Sequence, residues 1–303
     1  MRSASRPVTE STGKRLAQWA FVVPAAAYLL LFFGYPVVQN VVMSFQRYTT
    51  TTFYTGEAPF AGLGNYSAVL ASAAFSRAVV VTALFTAGSI AGQFVLGLAL
   101  ALFFRRRFPL GGVLRALLLL PWLLPLVVSG TTWKWMLDPD TGVVNTVLRA
   151  LHLSSDGVPW LTGTSQALVS VILINVWVGI PFNTTILYGG LQDIPPHLYE
   201  AAQLDGAGPV RSFRHITWPL LRPVAGVVLV LDVIYTVKVL DIILVVTGGG
   251  PAGATQTLAA QAYALSFEQF EFGRGAVLSN VLIVVSLAAA LIHLRAQRRA
   301  RTF

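Results

Sequence analysis

AVVVTALFTAGSIAGQFVLGLALALFF, residues 78–104, runs without a single charged side chain and ends abruptly on Arg105-Arg106-Arg107. A helix rising 1.5 Å per residue needs about 20 residues to cross about 30 Å of hydrocarbon, so this run is long enough to span a bilayer. A barrel strand would be about 10 residues long and would alternate polar with apolar side chains, and this run does neither. Working outward, five further apolar runs lie at 16–45, 113–136, 167–190, 223–246 and 275–294.

Composition agrees. The chain of 303 residues is 55% hydrophobic and 11% charged, with a mean hydropathy of +0.69, whereas a soluble domain carries about 25% charged residues. The reading is therefore an all-α, polytopic membrane protein of six transmembrane helices. The net charge of +9 does not point to nucleic acid, because the basic residues punctuate the ends of apolar runs instead of gathering on a soluble face. Cysteine is absent, which excludes disulfides and thiolate metal ligands. The first run is too long for a signal-peptide core and lacks a clear small-residue cleavage site, so it reads as a retained anchor.

Orientation follows from where Lys and Arg fall in short loops. With a cytoplasmic N-terminus, the inside segments hold Arg2, Arg6, Lys14 and Arg15; Arg105, Arg106, Arg107 and Arg115; Arg211, Arg214 and Arg222; and Arg295, Arg298, Arg299 and Arg301. The outside keeps only Arg47, Arg77, Lys134, Arg149 and Arg274, with Lys238 inside a run. Both termini are thus expected in the cytoplasm. The expected organisation is a cytoplasmic tail at 1–15, a transmembrane domain at 16–294 and a basic cytoplasmic tail at 295–303. A long cytoplasmic segment at 191–222 interrupts the transmembrane domain, and a segment of that length in a compact membrane protein usually has a task.

That segment contains DIPPHLYEAAQLDGAGP, residues 193–209, followed by Phe213, Ile216, Pro219 and Pro223. Pro195 and Pro196 suit a helix start and Gly206 its stop, while Pro209 can open a second short helix. The segment resembles the EAA loop of ABC importer permeases: Glu200, Ala201, Ala202, Asp205, Gly206, Ala207, Ile216 and Pro219 match that pattern in register. The resemblance implies a type I ABC importer permease fold and a coupling element that docks on an ATP-hydrolysing subunit. Glu200 would meet a basic residue of that subunit, the small residues would allow close approach, and Ile216 with Pro219 would brace the knob against the membrane domain.

Further motifs resemble the carbohydrate-type permeases. They are Phe33-Gly34-Tyr35-Pro36, Ser44-Phe45, the stretch FAGLGNY at 60–66, Leu120-Pro121, Trp133-Lys134-Trp135-Met136, Trp177 with Pro181-Phe182, and Asp241 followed by TGGGP at 247–251. The implied activity is translocation of a sugar, or a related polyol or glycerol-phosphate-type solute, across a bacterial or archaeal cytoplasmic membrane. The implied partners are an extracytoplasmic solute-binding protein, a second homologous permease and two ATP-binding subunits. ATP with Mg²⁺ would sit in those subunits, and this chain would bind no cofactor. No phosphate-binding Gly-x-x-x-x-Gly-Lys-Ser/Thr loop occurs, so the chain itself is read as a channel subunit and not an enzyme.

Candidate pathway residues come from the fourth and fifth runs. Asn175, Asn183, Thr184 and Tyr235 offer hydrogen bonds, and Trp177 a ring to stack on. Asp232, Lys238 and Asp241 are charges that a membrane span tolerates only beside a partner or a polar cavity. On one continuous helix Lys238 and Asp241 share a face and can pair, whereas Asp232 and Asp241 point oppositely. Structural ion pairing and a role beside the pathway both fit these charges. The rival reading is an ion-coupled secondary transporter with Asp232 and Asp241 as coupling carboxylates. Gly88 and Gly92 form a Gly-x-x-x-Gly pair suited to close helix packing, and four scattered histidines make no metal site.

Overall fold

The computed structural model describes residues 12–106 and 108–300. Most of the N-terminal tail expected at 1–15, together with Arg107 and the last residues of the basic tail, lies outside them. Within them the chain is helical and no strand forms, apart from an isolated bridge between Gln46 and Phe60. In chain order the helices are α1 Thr12–Leu29, α2 Tyr35–Ser44, α3 Thr50–Thr55, α4 Gly64–Leu70, α5 Ala73–Phe104, α6 Gly111–Leu118, α7 Leu120–Leu123 and α8 Leu126–Met136. They continue with α9 Val143–Ala150, α10 Thr164–Gln192, α11 Pro196–Leu204, α12 Pro209–Ser212, α13 Trp218–Val237, α14 Asp241–Val246, α15 Leu258–Tyr263 and α16 Phe272–Ala300.

Five helical stretches are long and apolar enough to cross a membrane: Trp19–Ser44, Ala73–Phe104, Thr164–Gln192, Pro209–Val237 and Phe272–Arg295. The sixth expected span is not a straight helix. The run at 113–136 divides into α6, α7 and α8, and the chain turns by 95° between Leu123 and Leu126. Pro125 is the cause: it offers no N–H to a helix and forces the preceding Leu124 into extended backbone, φ −74° and ψ 141°.

The run at 223–246 is corrected in the same way. Its helix starts much earlier, because α12 flows through a π-helical turn at Phe213–Thr217 into α13. The segment expected at 191–222 is therefore one free helix, α11, followed by the stem of the fifth span. At its other end the helix stops at Val237, and α14 restarts only at Asp241.

The bundle is built around α5 against α10. Phe85, Val171, Ile174, Ile242, Ile243 and Val246 form one buried cluster; Ala101, Leu187, Leu191, Leu221 and Val228 form a second. Lipid gives little hydrophobic drive between spans, so close approach depends on small residues. Gly88 faces Ile172, Gly92 faces Val176 and Gly97 faces the backbone of Asn183 and Thr184. A third cluster packs α4 and α15 on α16 through Val69, Leu258, Val277 and Leu278. A polar chain reinforces it: Asn40 Nδ2 donates to Asn280 Oδ1 (2.7 Å), Asn280 Nδ2 to Tyr66 Oη (3.2 Å), and Tyr66 and Ser44 hydroxyls lie 2.9 Å apart. Unlike the others, the span Trp19–Ser44 buries none of its apolar window within this chain.

The loop between α8 and α10 is knitted by Asn145, which is fully buried. Its Nδ2 donates to the Pro139 and Val158 carbonyls, and its Oδ1 accepts from Val158 N and Trp160 Nε1. Asp138 starts this loop: its Oδ1 accepts from Thr141 N (2.8 Å), the Thr141 hydroxyl (2.9 Å) and Asp140 N (3.1 Å). The Thr141 amide first, then the hydroxyl, holds the Asp138 carboxyl below the ordinary aspartate value. A depressed folded-state value stabilises the turn above the ordinary pKa and is lost as pH falls through the lowered one. Amide-exchange protection at Thr141 should therefore hold from neutral pH down to about 4 and decline below that. Asp138→Asn should flatten the profile, and an unchanged profile would show that the carboxylate does not secure the turn.

Candidate functional site

Two places concentrate the residues singled out in the sequence. The first is the knob formed by α11 and its link to α12. Pro195 precedes the first turn with Pro196 at its start, and the exit is a left-handed turn at Gly206, φ +74°, where any other residue would be strained. Ala207 N donates to Ala202 O (2.8 Å) and Gly206 N to Gln203 O (3.0 Å), the pair of bonds that closes a glycine-terminated helix. Glu200, Ala201 and Asp205 are exposed, while Ala202 and Ala207 are half-buried. Leu198, Tyr199, Ile216 and Trp218 pack onto the cluster of Leu187, Leu191 and Leu221, so the knob is seated firmly on α10 and α13. Pro219 is exposed in the first turn of α13.

Two braces here escaped sequence reading. The Tyr199 and buried Thr217 hydroxyls are 2.9 Å apart, and the Arg105 guanidinium lies 4.0 Å from the centre of the Tyr199 ring. Nothing in the spacing of Arg105 and Tyr199 announces that contact.

The second place is a cavity of about 470 Å³ bounded by α5, α7, α10 and the break between α13 and α14. Of the nominated pathway residues, Asn175, Asp232, Tyr235, Lys238 and Asp241 line it. Asn183 stands behind them: its Nδ2 donates to Asp232 Oδ1 at 3.0 Å. Trp177 and Thr184 do not line the cavity. Trp177 packs edge-on against Trp133 at 5.7 Å, and the Thr184 hydroxyl is spent on the Ile180 carbonyl at 2.8 Å.

The expected Lys238–Asp241 ion pair does not form, because the helix that would align the two ends at Val237. Lys238 instead places its Nζ 5.2 Å from the Tyr235 ring centre. The same break brings Asp232 and Asp241, expected on opposite faces, to one cavity. Gln93, Trp122 and Phe182 also line it. Gln93 Nε2 donates to the Asn175 carbonyl at 2.9 Å, and Gly179 leaves the room in which Gln93 lies. Trp122, Phe182 and Tyr235 form a run of rings, successive centroids 6.0 Å apart. The lining thus combines three aromatic rings with amides and carboxylates. Among the described residues, Asn175 Nδ2 and Asp232 Oδ2 are buried without a partner.

Residues 93–302 match the family described as the binding-protein-dependent transport system inner membrane component. The chain belongs to that family. The permease is 36% identical over 280 residues to the trehalose/maltose transport system permease protein MalF of Thermococcus litoralis, covering 92% of this chain and 93% of that one. It is 33% identical to the diacetylchitobiose uptake system permease protein DasB of Streptomyces coelicolor, over 96% and 89% of the two chains. It is 35% identical to the sulfoquinovosyl glycerol transport system permease protein SmoG of Agrobacterium fabrum, over 93% and 91%.

In fold, the permease is similar to a chain of a bacterial alginate ABC transporter in complex with a periplasmic protein bound to an alginate pentasaccharide. The TM-score is 0.81 at 22% identity, with 97% and 98% of the chains covered. The permease is thus a multi-pass inner-membrane component of a binding-protein-dependent ABC transporter, a channel subunit and not an enzyme. Membership lends no support to the ion-coupled reading of Asp232 and Asp241.

Proposed function

We propose that the permease forms half of the pathway of an ATP-driven sugar importer, and that the cavity between α5, α10 and α13 is its share of the route. A second, related permease supplies the other half, an extracytoplasmic binding protein delivers the solute, and two ATP-binding subunits drive the cycle from the cytoplasmic side through α11. The N- and C-termini then face the cytoplasm, as the distribution of Lys and Arg favours.

The observation that carries the sugar reading is the mixed aromatic and polar lining of the cavity. Rings such as Trp122, Phe182 and Tyr235 offer flat apolar faces, while Gln93, Asn175 and Asp232 offer the directional acceptors and donors that hydroxyl groups need. Charge narrows the class. Asp232 and Asp241 outnumber Lys238 on the lining, so this wall disfavours a phosphate-bearing solute and suits a neutral saccharide. Of the relatives' names, trehalose/maltose and diacetylchitobiose fall in this class, and sulfoquinovosyl glycerol, an anionic glycoside, shares only the saccharide part.

Reconstitution in proteoliposomes with the cognate binding protein, partner permease and ATPase tests this. Uptake of a neutral disaccharide should require ATP and the binding protein. Removing the Tyr235 ring costs on the order of 1 kcal/mol of solute contact, so Tyr235→Ala should lower the uptake rate about fivefold while binding-protein-stimulated ATP hydrolysis persists. Uptake driven by an ion gradient without ATP, or uptake of glycerol phosphates in preference to disaccharides, would overturn the proposal.

A further inference from the structure

At the foot of α5 lies a second cavity, of about 690 Å³, which neither the pathway nor the outward face of α11 uses. We propose that it is a headgroup site for an anionic phospholipid. The inference rests on the inward orientation of this end of the bundle given under Proposed function. Leu102 and Phe213 make an apolar wall, Gln203 and Ser212 provide polar edges, and Arg105 and Arg106 supply two positive charges. No Asp or Glu is on the lining, and among the described residues the one ion pair is the distant Arg274–Glu271.

Depth and geometry point to a lipid. The apolar course of α5 ends at Phe104, so Arg105 and Arg106 sit where hydrocarbon gives way to headgroups. Long basic side chains at that level meet anionic lipid, and basic pockets between spans on the cytoplasmic side take phosphate headgroups. The Arg105 guanidinium lies over the Tyr199 ring, 4.0 Å from its centre. A guanidinium bound through its π face leaves its N–H fork available to the oxygens of a phosphate.

The ATPase is a poorer occupant, although Gln203 and Ala207 of the coupling segment form one rim: Glu200 and Leu204, the latter 90% exposed, are not on this lining, whose cationic side comes from α5. Because Tyr199 belongs to α11, a lipid seated here touches the helix proposed to receive the ATPase.

The test is native mass spectrometry of the assembled transporter, delipidated and then exposed to phosphatidylglycerol or phosphatidylcholine. Two arginines at headgroup depth make the expected preference for phosphatidylglycerol about 30-fold. Arg105→Gln/Arg106→Gln should abolish that preference, and Arg222→Gln/Arg295→Gln, which removes equal charge from the same side outside the cavity, should retain it. Thermal melting in phosphatidylcholine establishes that both double variants are folded.

Equal loss in the two double variants would reveal diffuse surface attraction and overturn the site. Displacement of the lipid by inorganic phosphate, or a preference for phosphatidylglycerol seen only after the ATPase subunits are stripped from the transporter, would overturn the lipid assignment. Glu200→Ala serves as the separating control: it should leave lipid retention intact, so a failure of the coupling reading does not mimic a failure of the lipid site.

Discussion

Deleting residues 200–207 should abolish ATP-driven uptake, and Glu200→Ala alone should lower it at least tenfold, while both proteins keep the fold of their spans. The contrast comes from where the residues sit. Glu200 is an exposed side chain on α11 with no ion-pair partner among the described residues, so its removal should change stability within about ±0.5 kcal/mol. At an interface with a basic residue, losing one partner of a buried charged pair costs about 2–5 kcal/mol, at least a 30-fold change in an equilibrium.

The seat of α11 does not depend on the deleted residues. Leu198, Tyr199 and Ile216 remain packed on Leu187 and Leu221, which lets the spans survive the deletion. Uptake and binding-protein-stimulated ATP hydrolysis, measured in proteoliposomes beside a thermal melt of each variant, separate coupling from folding. If hydrolysis and uptake in Glu200→Ala still respond normally to the binding protein, α11 is not the coupling element.

How far the sequence could be read follows from how local each cause is. The run at 78–104 was legible because its length and lack of charge are properties of one stretch, which the bilayer tests directly. The bend at Pro125 was equally local and was overlooked because hydropathy averages across a proline. The break after Val237 was less legible: Lys238, Val239 and Leu240 do not forbid a helix, and the interruption is a tertiary outcome.

That break decides the cavity, since it places Asp232, Lys238 and Asp241 on one wall instead of leaving Lys238 and Asp241 as a local pair. The Asn183–Asp232 bond joins residues 49 apart, so both could be nominated separately while their partnership stayed hidden. Gln93 and Trp122 were passed over because each lies in a run whose apolarity already had an explanation. A polar residue embedded in such a run, as Gln93 is, was the signal available.

The second large effect belongs to the seam between α5 and α10, where Gly97 and Gly88 differ in what faces them and exposed Gly189, outside the seam, serves as the reference. A Cβ on Gly97 would stand 2.5 Å from Asn183 Cβ and 3.2 Å from the Thr184 backbone nitrogen. Backbone cannot rotate away, so Gly97→Ala must push the two helices apart at the point where Asn183 holds Asp232. Overpacking of this kind costs about 1–3 kcal/mol, and Gly97→Val, with more bulk at the same place, should prevent accumulation of folded permease.

Gly88→Ala would place its Cβ 3.1 Å from Ile172 Cδ1 and 3.3 Å from its Cγ2, side-chain atoms that can give by a few tenths of an ångström, so its cost should be about 1 kcal/mol. At Gly189 an added Cβ meets nothing within 4 Å, and alanine should be neutral or stabilise the helix by up to about 1 kcal/mol. Thermal melts of the purified variants in one detergent should therefore rank Gly189→Ala at or above the parent, Gly88→Ala slightly below and Gly97→Ala far below. Gly97→Ala should also lose uptake beyond what its remaining folded fraction explains, because the Asn183–Asp232 bond lies on the cavity wall. If Gly97→Ala melts with Gly189→Ala, close backbone approach at this point does not hold the bundle together, and the seam must be secured by the side chains around Phe85 and Leu187.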